Sequence, residues 1–133
     1  DTTQKQTVEM RSPDGSADLY LLLAGLAVAC RHGIESENSL ELAKKTYVDV
    51  NIHDDENKDR LLMLEQLPDS CEASAGCLER QRDVYERYGV FSPSAIDGII
   101  NGLRGYADAT LRRDIDGNEP AMLKLVKKYF RCG

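Results

Sequence analysis

Positive charge, histidine, closely paired cysteines and long apolar runs are all scarce in this sequence, and each shortage closes off a class of function. Acidic residues outnumber Lys and Arg by 23 to 17, for a net charge of -6 and an isoelectric point near 4.9. Such a surface does not suit nucleic acid or an anionic membrane. With two histidines and no Ser or Cys in a recognisable nucleophile elbow, nucleophilic catalysis finds no support. The four cysteines, Cys30, Cys71, Cys77 and Cys132, lack the short paired spacings of a zinc site. Cys71 and Cys77 stand six residues apart, on different faces of a helix, and the set reads as reduced thiols. The apolar run Leu19 to Cys30 covers twelve residues, against roughly twenty for a membrane span, so it reads as a core helix. The polar N-terminus has neither the basic stretch nor the apolar core of a secretory leader, and the expected location is the cytoplasm. There is no internal repeat and no low-complexity tract.

What is present suits a single globular domain over residues 1–133: the chain has 133 residues, 41% of them hydrophobic and 30% charged. The expected fold is mainly α, an irregular bundle of about six helices preceded by one short β-strand. Residues 6–11 are the one convincing strand. A lone strand cannot satisfy its own backbone groups, so it needs pairing partners outside this chain or a second copy. That need, with a first residue that is Asp, reads as a piece excised from something larger.

The helices follow from their punctuation. Ser16 or Asp18 can cap the first, which is apolar nearly all round, is expected to be central, and should stop at Gly33. Asn38 with Glu41 gives a capping-box start to the second, whose stripe is Leu40, Ala43, Tyr47 and Val48. A third carries Leu61, Leu62, Met63 and Leu64 and ends before Pro68. The fourth runs from about Ser70 to Tyr88 and is closed by Gly89. Ser92 and Pro93 start the fifth, with Ile96, Ile99, Ile100 and Leu103 as its buried stripe. Asp116-Gly117-Asn118 breaks the chain before a last helix bearing Met122, Leu123, Leu125, Val126 and Phe130. Lys124, Lys127, Lys128 and Arg131 sit in its later turns, where cations favour the helix dipole.

The chemistry concentrates in Val8-Glu9-Met10-Arg11-Ser12-Pro13-Asp14-Gly15-Ser16-Ala17-Asp18-Leu19-Tyr20. On a strand Thr7, Glu9 and Arg11 share one face, and Val8 and Met10 the other. A carboxylate beside a guanidinium suits a site that handles a metal ion and an anionic group; the plain alternative is an ordinary surface ion pair. Other clusters carry less. His53-Asp54-Asp55-Glu56 fits a solvated loop and helix start better than a metal site. Asp114 to Glu119 imitates a calcium loop without its ligand spacing. Gly98, Gly102 and Gly105 lie on one side of a helix and suggest close helix packing, not a phosphate loop. His32 is expected to interact with the last carbonyls of the first helix.

Glu-Met-Arg-Ser-Pro-Asp followed by Ser-Ala-Asp-Leu-Tyr-Leu and an Ala/Gly/Leu-rich helix resembles the Glu-x-Arg-x-Pro-Asp strand of glutamine synthetases. Ala29-Cys30-Arg31-His32-Gly33-Ile34, Val90-Phe91-Ser92-Pro93 and Ile96-Asp97-Gly98-Ile99-Ile100 resemble the large type III branch. The resemblance implies the C-terminal portion of an ATP-dependent glutamate–ammonia ligase working through a γ-glutamyl phosphate. Residues 1–15 would then be an active-site strand and turn, and 16–133 a helical region supporting the subunit and its oligomeric contacts. Glu9 would hold one Mg²⁺ or Mn²⁺ ion near the transferred phosphoryl group. Arg11 would act in catalysis and bind the substrate carboxylate. Many members have a further Arg where this chain has Thr7, which puts that extra contact in doubt. The implied partners are the remainder of the same polypeptide, further copies of the subunit, glutamate and ammonia, with no nucleic acid and no membrane. No tightly bound cofactor is expected on these residues alone, and the isolated piece should be inactive. The reading from another class is a non-catalytic helical interaction module with a purely structural Glu9–Arg11 pair.

Overall fold

In a computed structural model, residues 8–51, 54, 56, 59, 62 and 64–130 are described, and among them there are seven helices and no strand. The helices are α1 (Leu19–Glu35), α2 (Ser39–Thr46), α3 (Cys71–Arg80), α4 (Arg82–Glu86), α5 (Pro93–Arg104), α6 (Leu111–Ile115) and α7 (Glu119–Tyr129). The mainly α expectation holds. The expected strand does not form over residues 8–11; the rest of its span lies outside the described residues. The missing ladder explains this, since a segment with no strand beside it among the described residues has no cross-strand hydrogen bonds to fix it. Most of the expected third helix, including Leu61 and Met63, also lies outside them.

Water is excluded where α3, α5 and the turn before α5 meet. Ser70 caps α3 by accepting from the Ala73 amide (3.1 Å), and Ser92 caps α5 by accepting from Ala95 (3.2 Å), with Pro93 in the first turn. The expected stripe of α5 turns inward, with Ile96 1% and Ile100 3% exposed. They meet Ala75, Phe91 and Val28, with Leu78, Val84, Tyr85, Tyr88 and Leu103 around them. Tyr85 and Phe91 stack edge to face, their centroids 5.9 Å apart. The expected fourth helix is broken at Gln81 into α3 and α4. The Gln81 amide is shared between the carbonyls of Cys77 and Leu78 (3.2 Å each), which tightens and ends the turn. Gly89, at φ +66°, closes α4 as its sequence position suggests.

A second fastening comes from far along the chain. Asp108 follows Ala107, which is held at φ +50°, a strained value for a residue with a Cβ. The turn brings the Asp108 carboxylate onto the start of α3, where it accepts from the amides of Cys71 (2.7 Å) and Glu72 (3.0 Å). Those amides and the helix dipole favour the anion and hold the carboxyl below its usual 3.8. Burial, then the neighbouring Asp108, pushes the Cys71 thiol up.

Helix α1 departs most from expectation. Asp18, not Ser16, caps it, accepting from Tyr20 (2.9 Å) and Leu21 (3.0 Å). The helix passes through Gly33 to Glu35. Glu35 is tied to Arg31 (2.7 Å) and accepts from the Tyr88 hydroxyl, while Arg31 lies over the Tyr88 ring at 3.9 Å. These contacts offset the roughly 1 kcal/mol that a mid-helix glycine costs. The helix is not central: Val28 is its one buried residue, and Leu23 is 64% exposed. Only one side of α1 faces the α3–α5 core, and nothing among the described residues covers the other. In α2 the side chain of Asn38 accepts from Ser36 (2.6 Å) instead of capping the helix, so the expected capping box is absent. Asn118 does cap α7, accepting from Ala121 (3.2 Å), but α7 buries no residue.

Two outcomes follow for the isolated chain. Ile96→Ala removes side-chain volume from the best-packed point and should cost about 2–5 kcal/mol, read as a lower denaturation midpoint; an unchanged midpoint would mean that α5 is not anchored there. Because the Asp108 carboxyl is depressed by folding, its stabilisation is full above 3.8 and is lost as pH falls through the lower folded value. Asp108→Asn should therefore lower the melting temperature at neutral pH and flatten its decline below that value. Parallel acid profiles for parent and variant would contradict the clasp.

Candidate functional site

The segment that carries the chemistry leads into α1 through a turn built by its own residues. The Asp14 carboxylate accepts from the amide and hydroxyl of Ser16, and the Ala17 amide closes onto the Asp14 carbonyl at 3.1 Å. This arrangement, with Gly15 in the bend, is an Asx-type turn. Those two hydrogen bonds, the hydroxyl's first, hold the Asp14 carboxyl below its ordinary value. Two residues after the turn, Asp18 caps α1. Pro13 to Asp18 are thus fully used in reversing the chain and starting the helix, and Glu9 and Arg11 are left free for other work.

These two stand side by side, as their spacing implies. Arg11 donates from Nε to Glu9 Oε1 at 2.8 Å and from Nη2 to Oε2 at 3.4 Å. Both are open to solvent, the side chains 85% and 69% exposed respectively. An exposed pair of this kind is worth under about 1 kcal/mol, so opening it toward a cation and an anion costs little. Glu9 offers hard carboxylate oxygen, the donor that Mg²⁺ and Mn²⁺ take, but such ions need several oxygen ligands. Among the described residues no group of three or more His, Cys, Asp or Glu side chains could hold a metal ion. Glu9 by itself therefore makes no metal site among the described residues.

Of the remaining candidates, Asp54, Asp114 and Asn118 serve the local fold. His53 and Asp55 lie outside the described residues; Asp54 accepts from the Asn51 side chain at 2.8 Å. Asp114 accepts from Thr110 (2.7 Å) and Asn118 caps α7, so the imitation calcium loop serves as helix punctuation. Among the described residues a Cβ at Gly98 or Gly102 would meet nothing within 4 Å, and one at Gly105 would meet only the carbonyls of Gly102 and Asn101, so the expected close helix packing is not seen there. Gly102 and Gly105 instead line an open cleft of about 730 Å³ with Ile99, Leu103, Tyr106, Lys128 and Tyr129. His32 lies exposed in the last turn of α1. Cys30, Cys71 and Cys77 are free thiols, as expected; Cys132 lies outside the described residues. Neither the Asp108 clasp nor the Glu35–Tyr88 contact is visible in local sequence, since their partners stand 36 to 53 residues away. No helix among the described residues is long and apolar enough to cross a membrane.

Residues 1–110 match the family model described as glutamine synthetase, catalytic domain. No curated protein and no solved structure matches the chain.

With one carboxylate available, the isolated chain should bind Mg²⁺ or Mn²⁺ no more tightly than millimolar. Calorimetric titration tests this, and micromolar binding that disappears in Glu9→Ala would show a complete metal site in these residues.

Proposed function

The chain belongs to the glutamine synthetase catalytic-domain family, and from this premise we propose that it forms one wall of the active site of an ATP-dependent glutamate–ammonia ligase. The reaction joins ammonia to the side-chain carboxylate of glutamate after that carboxylate has been phosphorylated. Its obstacle is charge, because an anionic carboxylate must approach the terminal phosphate of ATP. A divalent cation, when bound, neutralises part of that charge, and Glu9 is the residue of this chain that would hold it.

Arg11 supplies the rest of this chain's contribution. Its planar guanidinium can take two oxygens of a phosphoryl or carboxylate group at once. In the working site it leaves Glu9 and turns to the phosphoryl group and the substrate carboxylate, stabilising charge as it develops. The Asp14 turn and the Asp18 cap fix where the segment enters α1, so Glu9 and Arg11 are presented from a defined base. The observation that carries this reading is the paired, solvent-open Glu9 and Arg11 just before that turn, within the matched residues. The runs Ala29 to Ile34 and Val90 to Pro93 favour the type III branch and, with it, a large cytoplasmic oligomer.

In the complete protein, Glu9→Ala should reduce glutamine formation to background, and Arg11→Ala should lower kcat by about 10²-fold or more, both with unchanged circular dichroism. Near-normal turnover in Glu9→Ala would remove Glu9 from the chemistry. An inactive, well-folded parent supplied with glutamate, ammonia, ATP and metal would overturn the activity itself.

A further inference from the structure

One side chain holds the joint between the chemical segment and α1. Gly15 stands in the bend, and glycine leaves a turn more backbone conformations than any other residue does. The Asp14 carboxylate reaches across it: Oδ1 accepts from the Ser16 amide at 2.8 Å and from the Ser16 hydroxyl. The Ala17 amide closes the same turn onto the Asp14 carbonyl. On the far side, Asp18 ties the turn to the first amides of α1, and α1 is fixed on the core through Val28. On the near side, only Ser12 and Pro13 separate Arg11 from Asp14. The Pro13 ring locks its own φ and restricts Ser12, so few soft torsions remain between the turn and the Glu9–Arg11 pair.

Asp14 and Ser16 are exposed, and neither belongs to the buried cluster around Ile96. Their contact adds little to the core; its consequence is the direction in which residues 9–11 leave α1. We propose that Asp14 is a positioning residue for Glu9 and Arg11: by bridging Gly15 to Ser16 it sets where those two side chains meet the metal ion and the phosphoryl group, and it touches neither. The inference rests on the proposed ligase activity and assigns a further residue to it. A misplacement of about 1 Å can cost on the order of 10²-fold in rate, so a small swing at this joint reaches the chemistry.

In the complete protein, Asp14→Ala should lower kcat about tenfold or more while the KM for ATP stays within about twofold, as when interactions made chiefly in the transition state are lost. Asp14→Asn keeps an oxygen that can accept from both Ser16 donors and should return kcat to within about threefold of the parent. Ser16→Ala keeps the amide donor alone and should fall between the two. Circular dichroism and melting temperature should stay at the parent values throughout. Parent-like kcat in Asp14→Ala would overturn the proposal, as would a raised KM with kcat unchanged. Asp14→Asn as impaired as Asp14→Ala, with Ser16→Ala parent-like, would give the carboxylate charge a direct role and overturn it equally. Glu9→Ala, assayed alongside, keeps the two claims apart. Loss of turnover in Glu9→Ala beside a parent-like Asp14→Ala would defeat this inference alone; normal turnover in Glu9→Ala would remove the reading on which it rests.

Discussion

The contact of α3 with α5 is the one place where the described residues exclude water thoroughly, and everything else in the chain is hung from it. Ala75 is small enough to let Ile96 and Ile100 approach, and Phe91 fills the space at the turn. The Asp108 clasp ties the start of α3 to the turn after α5. Arg82 of α4 pairs with Asp97 of α5 (3.0 Å) and Arg104 of α5 with Glu79 of α3 (2.6 Å), but these are solvent-facing and worth little beside the apolar contact. Helix α1 reaches this core through Val28 and the Arg31–Glu35–Tyr88 contacts.

That arrangement explains why the chemical segment stands apart. The core holds one side of α1 and so fixes the helix, while Asp18 and the Asp14 turn fix how residues 8–13 leave it. Nothing in the core reaches Glu9 or Arg11. The two are presented outward, with their own mutual ion pair as a cheap resting arrangement. The chain matches a catalytic domain, and its described residues gather no cluster of three or more metal-binding side chains.

Much of this was legible in the sequence, for physical reasons that differ by element. Ser92-Pro93 and the Ile96–Ile100 spacing gave α5 and its buried face correctly, because cap chemistry and helical period act locally. The family was legible in Glu9 to Asp14 for a similar reason: six consecutive residues carry it. The role of α1 was misread because apolar content all round a helix shows that both sides seek cover, not that one short chain can supply both. Gly33 failed as a stop because Glu35 is held by Tyr88, a partner 53 residues away. Local sequence also hides Asp108, whose partner amides lie 36 and 37 residues upstream, and the open space beside Gly98 and Gly102, which spacing alone cannot distinguish from a packed helix face.

The central claim is that Glu9 and Arg11 do their work on a segment taken up by partners beyond the α3–α5 core. Amide hydrogen exchange of Val8 to Arg11 tests it most directly, measured in the isolated chain and in the complete protein. The account predicts exchange near free-peptide rates in the isolated chain and strong slowing of alternate amides in the complete protein, as for a strand paired on one or both edges. Free-peptide rates in both would contradict it.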